Sequence, residues 1–193
     1  MLQASTESRI INTSSVNGFW AFIGPHMPHA AYCAAKFAVK GFTEALITDL
    51  RISAPNVSCS VVMPGHIGTS IVENSRKLVR EKNAEDPTDA EVQLARELYL
   101  RRGLPLDNVP DEHIRQMMQQ ESDDFRDKAL TSAEDAAYII LKGVKEKRWR
   151  ILVGEDAEFL DQSVRADPES AYELEFYERV ANREVALNFG DGN

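Results

Sequence analysis

Apolar positions fall into two kinds of run. Residues 9–15 (RIINTSS) open apolar and close on small polar residues, and residues 56–65 (NVSCSVVMPG) are β-branched and break at Pro-Gly. Short runs bounded by turn residues read as buried strands, here 9–14 and 57–62. Between them AAYCAAKFAVKGFTEALITDLRIS predicts a helix over about 30–52. Val39, Phe42, Leu46 and Leu50 recur three or four apart as one apolar stripe, and Pro55-Asn56 end it. Strand, helix, strand at this spacing predicts a βαβ unit.

Residues 70–130 are highly charged and carry several short helical patterns. Ser70 and Glu73 fit a capping box, Leu94 and Leu98 mark a helix that stops at Gly103, and Ile114, Met117 and Met118 mark another. A segment this long between core elements predicts a lid or binding loop. Core patterning returns at Thr131, which with Glu134 reads as a cap for a helix over 132–146, followed by a strand at 149–153. The acidic tail, 155–193, reads as helical, with Leu160, Val164, Tyr172, Phe176 and Val180 packing and NFGDGN frayed. The organisation expected is one α/β domain over 1–154, interrupted by the 70–130 segment and completed by the tail.

Composition narrows the function. The 193 residues are 43% apolar and 27% charged, which suits a folded globular chain. A net charge of -9 repels phosphate backbones and anionic lipid, so neither nucleic acid nor membrane is expected as a partner. No run approaches the ~18 apolar residues of a membrane-spanning helix, and MLQASTESRI has no signal-peptide pattern. Cys33 and Cys59 sit inside apolar stretches and read as buried free thiols of a reducing compartment, hence a cytoplasmic protein. His26, His29 and His66 show no zinc spacing, so no metal is expected, and His66 reads as a solvated loop residue in preference to one lining the pocket.

Tyr32 and Lys36 stand four apart on the 30–52 helix and therefore share a face. A phenol is a poor proton donor or base at its ordinary pKa of about 10, and an ammonium beside it favours the phenolate. A tyrosine so placed can exchange a proton with an alcohol oxygen. Tyr138 and Lys142 repeat the spacing among Ile139, Ile140 and Leu141, where a core or edge tyrosine beside a solvated lysine is the simpler reading. Tyr32 differs in context: it follows a strand ending in NTSS and is flanked by Ala30, Ala31, Cys33, Ala34 and Ala35, which let a ligand approach the backbone. Ser15 is then a candidate donor to a substrate oxygen, or a plain strand-end serine. Pro64-Gly65 can be a plain turn, and Thr69 a helix N-cap.

Taken together, IINTSSVNG, AAYCAAKFAVKGFTEAL and VSCSVVMPGHIGT, in that order, resemble the second half of the short-chain dehydrogenase/reductase family. The resemblance is strong over 1–70 and moderate over 131–154. It implies a partial Rossmann-like, doubly wound parallel sheet of about three strands with a helical substrate lid. It also implies an oxidoreductase that interconverts an alcohol and a carbonyl with NAD or NADP, the choice between them undecided. Carried onto this chain, Ser15 polarises the substrate, Tyr32 is the general acid/base, and Lys36 lowers the Tyr32 pKa and holds the nicotinamide ribose. Pro64, Gly65 and Ile67 line the nicotinamide, and Thr69 bonds its carboxamide or the pyrophosphate. Gly18 completes S-x-x-G and selects Ser15 over Ser14, although the Ser15–Tyr32 connection is longer than usual and keeps Ser14 as the alternative.

The family's Gly-rich phosphate turn and Asn-Ala-Gly motif are not found, and MLQASTESRI resembles the end of the helix before the serine strand. The chain is therefore expected to be a truncated form that binds NADH and NADPH weakly or not at all alone, and to belong to a homo-oligomer when complete. Leu94, Leu98, Tyr99, Met117 and Met118 either give a lid with an apolar inner face, hence a hydrophobic substrate, or pack among themselves. The alternative function is a non-catalytic half-domain pairing through a strand edge and the apolar face of helix 30–52. An intact Ser15, Tyr32, Lys36 and Pro64-Gly65 set is superfluous for such a module.

Overall fold

A computed structural model describes residues 6–22, 29–79 and 87–181. The elements are β1 (Ser8–Thr13), a 3-10 turn (Val16–Gly18), α1 (Ala30–Ser53), β2 (Val57–Pro64) and β3 (Ile67–Gly68). These are followed by α2 (Ile71–Val79), α3 (Asp89–Arg101), α4 (Asp111–Asp127), β4 (Thr131–Ser132), α5 (Ala133–Lys145) and β5 (Arg150–Val153). The chain continues through α6 (Glu155–Ala166), a 3-10 turn (Ser170–Tyr172) and α7 (Leu174–Ala181). His26 and the NFGDGN end lie outside the described residues.

Among the described residues the main sheet is parallel, in the order β1-β2-β5. Central β2 is buried along nearly its whole length, which is why VSCSVVM reads as a continuous apolar run rather than an alternating one. Its side chains alternate between two helices. Cys59 Sγ lies 3.5 Å from the Thr43 carbonyl of α1, whereas Val62, of opposite parity, joins Ala136 of α5 with Ile151 and Val153 of β5. Helices therefore cover both faces, as expected for a doubly wound sheet. Asn12 of β1 donates from Nδ2 to Thr43 Oγ1 at 3.0 Å, and Thr43, fully buried, donates to the Val39 carbonyl at 2.7 Å. A buried threonine is thus fully satisfied at the β1–α1 contact.

Local details depart from the sequence expectation. In α1 the buried line runs through Cys33 and Thr43, and Phe42, expected in the stripe, is 62% exposed. The helix cap before α5 is Ser132, whose Oγ accepts from Asp135 N at 3.0 Å; Thr131 is buried in β4. Of the two readings of Tyr138, its exposure matches the edge and not the core, because α5 turns its Ala136–Gly143 face toward β5. Cys33 and Cys59 are buried free thiols, and burial pushes both upward in pKa.

The described residues up to Ile67 and from Leu130 to Ala181 form one compact unit, and those within Gly68–Ala129 form another. The second has its own core of Val92, Tyr99, Leu106, Ile114 and Met118, with Met117 packed against it. Leu94, expected with them, is 58% exposed. Thr88 and Glu91 close a capping box on α3, and Gly103 takes φ +83 just beyond its end. The Tyr99 hydroxyl donates to Glu121 at 2.8 Å; burial, then the Glu121 carboxylate, push Tyr99 well above its ordinary range. Among the described residues no helix is long and apolar enough to cross a membrane.

In the first unit the tail folds back onto the segment after the serine strand. Trp20 is fully buried, its Nε1–H donates to the Ala171 carbonyl at 2.7 Å, and its ring lies 5.6 Å from Phe176. Phe22 joins Tyr177 edge-on at 5.2 Å. Tyr172, expected to be buried, is 52% exposed, but its Oη accepts from Ala21 N. Trp20→Ala is expected to remove about 3–5 kcal/mol of unfolding free energy in a urea titration, because it opens a cavity and orphans a buried carbonyl. A loss below ~1 kcal/mol would mean the tail does not pack on this segment.

Candidate active site

The parallel register brings three strand ends together. Thr13 pairs with Val62, and Pro64, two residues on, pairs with Val153. Ser14 and Ser15, the 65–67 loop and the 154–156 turn therefore all leave the carboxyl end of one sheet, where open α/β sheets hold ligands.

Ser14 and Ser15 are both buried but differently employed. Ser14 donates from Oγ to the Lys36 carbonyl at 2.7 Å and from its backbone N to the Val62 carbonyl at 2.8 Å, tying β1 to α1 and β2. Ser15 caps the 16–18 turn, its Oγ accepting from Asn17 N at 3.2 Å. Among the described residues its hydroxyl proton has no acceptor, so it can donate to a ligand. A Cβ on Gly18 would overlap Ser14 Oγ and stand 2.9 Å from the Lys36 carbonyl. Only glycine lets the turn lie against α1 at this point.

Tyr32 and Lys36 lie on the first turns of α1. The Lys36 Nζ sits 5.5 Å from the Tyr32 ring centroid and donates to the Thr13 carbonyl at 3.4 Å. That second contact carries the ammonium to the end of β1. Tyr32 is 39% exposed, and His29 meets its ring edge-on at 5.7 Å. Ser15, Lys36 and Tyr32 are thus gathered by one strand end, one tight turn and one helix.

Pro64 ends β2, Gly65 N donates to the Val153 carbonyl at 3.0 Å, and half-buried Ile67 packs against the Val62–Val153 cluster. Thr69 belongs to the other compact unit. His66, expected in solvent, is buried. Its backbone N–H donates at 2.6 Å to the carboxylate of Asp156, a residue the sequence reading did not single out. Asp156 is 4% exposed, and burial raises its pKa, only partly offset by the N–H groups of His66 and Ala157. The signal for it was present in V-G-E-D-A, a strand followed by Gly and an acidic first helical turn. Among the described residues no three His, Cys, Asp or Glu side chains are grouped to hold a metal ion.

A three-stranded parallel sheet covered on both faces by helices defines a Rossmann-like type of α/β protein. The short chain dehydrogenase family model matches residues 1–79, which supports membership of the short-chain dehydrogenase/reductase family. A Mycobacterium tuberculosis protein provisionally named oxidoreductase SadH is 31% identical over 164 residues, 84% of this chain and 45% of that protein. The "CLA biosynthesis dehydrogenase/reductase" of Lactiplantibacillus plantarum is 31% identical over 121 residues, 58% of this chain and 40% of that protein. A short chain dehydrogenase/reductase from Burkholderia phymatum, solved in complex with NAD, superposes with a TM-score of 0.56 at 26% identity, covering 88% of this chain and 50% of that one. The chain spans about half the length of the relatives it matches.

Two glycines on α1's contacts test the geometry. Gly18→Ala is expected to cost about 1–3 kcal/mol by overpacking. Gly41→Ala, with nothing within 4 Å of its Cβ, is expected to add about 0.5–1 kcal/mol. Equal effects of the two in thermal unfolding would contradict the close approach at Gly18.

Proposed function

We propose that the protein is a dehydrogenase/reductase interconverting a small alcohol and its carbonyl with NAD or NADP. The observation that supports this most is the Lys36 ammonium, 5.5 Å from the Tyr32 ring and hydrogen-bonded to the end of the serine strand. The donor set suits a dinucleotide's nicotinamide end. Lys36 spends one bond on Thr13 and has two donors left for ribose hydroxyls, and Pro64, Gly65 and the apolar Ile67 are half-buried.

In this reading a bound nicotinamide supplies or accepts the hydride. Tyr32 gives its phenolic proton to the carbonyl oxygen during reduction and takes it from the alcohol during oxidation. Ser15 donates its hydroxyl proton to the same oxygen and stabilises the charge that gathers there. Ser14 stays structural, its proton committed to the Lys36 carbonyl.

The chain is assayed with millimolar NADH or NADPH and a panel of aldehydes and ketones, polar and apolar. Because the chain alone is expected to hold the cofactor weakly, only slow reduction is expected even at these concentrations, falling about 10²–10⁴-fold in Tyr32→Phe. Ser15→Ala is expected to lower kcat about 10²–10³-fold with little loss of stability, and Ser14→Ala to cost stability first. A Tyr32→Phe variant as fast as the parent would overturn the assignment. A second reading, a non-catalytic module, is favoured by Phe37, Phe42 and Ile52, exposed at 40%, 62% and 83% on α1. It requires a stable complex through α1 together with no turnover by the folded chain.

A further inference from the structure

The 64–67 loop is held from behind by one carboxylate. Gly65 has no side chain because that space is taken: a Cβ there would overlap all three carboxyl atoms of Asp156. The neighbouring Gly154, at φ +104, is constrained in the same way, since its Cβ would overlap Asp156 Oδ1 and stand 3.0 Å from Thr131 Oγ1. Two glycines from two strand ends thus make room for one carboxylate. From this position it accepts from His66 N at 2.6 Å and from the first turn of α6 at Ala157 N.

This carboxylate is in an unusual position. Asp161, also buried and also on α6, is paired: burial pushes it upward, but Arg150 and Arg165 overcome this and hold it below the usual carboxylate range. Asp156 has no lysine or arginine partner among the described residues, and burial prevails. A carboxylate kept in such a site, bonded to loop backbone, is spent on holding that backbone.

We propose that Asp156 is a positioning residue that fixes the Pro64–Gly65–His66–Ile67 backbone as the seat for the nicotinamide end of the cofactor. The inference rests on the dehydrogenase reading of the site. Asp156 touches neither reacting atoms nor cofactor; it acts through the His66 amide. A short bond to a charged acceptor locks that peptide plane, and hence the direction of the groups that follow it at Ile67. Without the carboxylate the loop samples other orientations, and a ligand bound there must order it at its own cost.

The test uses the ¹⁵N-labelled chain, its Asp156→Asn and Gly65→Ala variants, and Asp161→Asn as a control that disturbs α6 without touching the loop. Two quantities are read by NMR: hydrogen exchange at the His66 amide, and the affinity for reduced nicotinamide mononucleotide, a probe lacking the adenosine half. In the parent and in Asp161→Asn the His66 amide is expected to be protected and the probe to bind equally. In Asp156→Asn and Gly65→Ala protection is expected to fall and affinity to drop at least about tenfold, the scale of one charge-assisted hydrogen bond. Lost protection with unchanged affinity would overturn the positioning role while leaving the cofactor site intact. Protected His66 in a parent that does not bind the probe would overturn the dehydrogenase reading and this role with it. A His66 amide that exchanges freely in the parent would show that the clamp does not exist.

Discussion

The register of β2 against both neighbours decides where every candidate group lies. Thr13 opposite Val62, and Pro64 opposite Val153, bring three strand ends level. The backbone bonds that continue past them, Ser14 N to Val62 and Gly65 N to Val153, extend the same pairing into the loops. A one-residue slip in a parallel sheet would exchange the faces of β2, placing Cys59 under α5 and Val62 under α1, and would move the serine away from the Lys36 turn. The apolar burial of β2 on both faces is therefore also what fixes the position of the candidate groups at its end.

Close approach is the second theme. Gly18 admits α1, Gly143 lies where a Cβ would stand 2.9 Å from Ile151, and Gly65 and Gly154 leave room for Asp156. Each shortens a distance between elements that carry site residues. The polar groups caught in these contacts are satisfied: Ser14 by the Lys36 carbonyl, Thr43 by Val39 and Asn12, Asp156 by backbone N–H groups. Trp20 then fastens the tail to the segment after the serine, so the site rests on both chain segments of the first unit.

Much of this was legible in the sequence, for physical reasons. The runs around Ile10 and Val61 have the length and β-branching of buried strands, and α1 begins and ends within a residue or so of its expected bounds because alanine-rich, proline-stopped sequence allows little else. The placement of Tyr32 and Lys36 on one helix and of Ser15 just past a strand was legible because spacing along a helix and position at a strand end are local properties. Phe42 was misjudged because its 100° offset from Thr43 cannot be seen when the true buried line includes a threonine and a cysteine. Thr131 and Glu134 fit a cap pattern in the sequence, and only the β4 backbone moves the cap to Ser132. His66 and Asp156 were missed because their bond spans 90 positions, a distance that no pattern within a window reports.

The most direct test of the account is where a nicotinamide ring settles on the folded chain. With isotope-labelled protein and millimolar NADH, intermolecular NOEs from the nicotinamide protons should reach the Tyr32 ring and the Ile67 side chain, and those from the adjoining ribose should reach Lys36. Bound cofactor whose nicotinamide gives NOEs to other residues and none to Tyr32, Lys36 or Ile67 would contradict it.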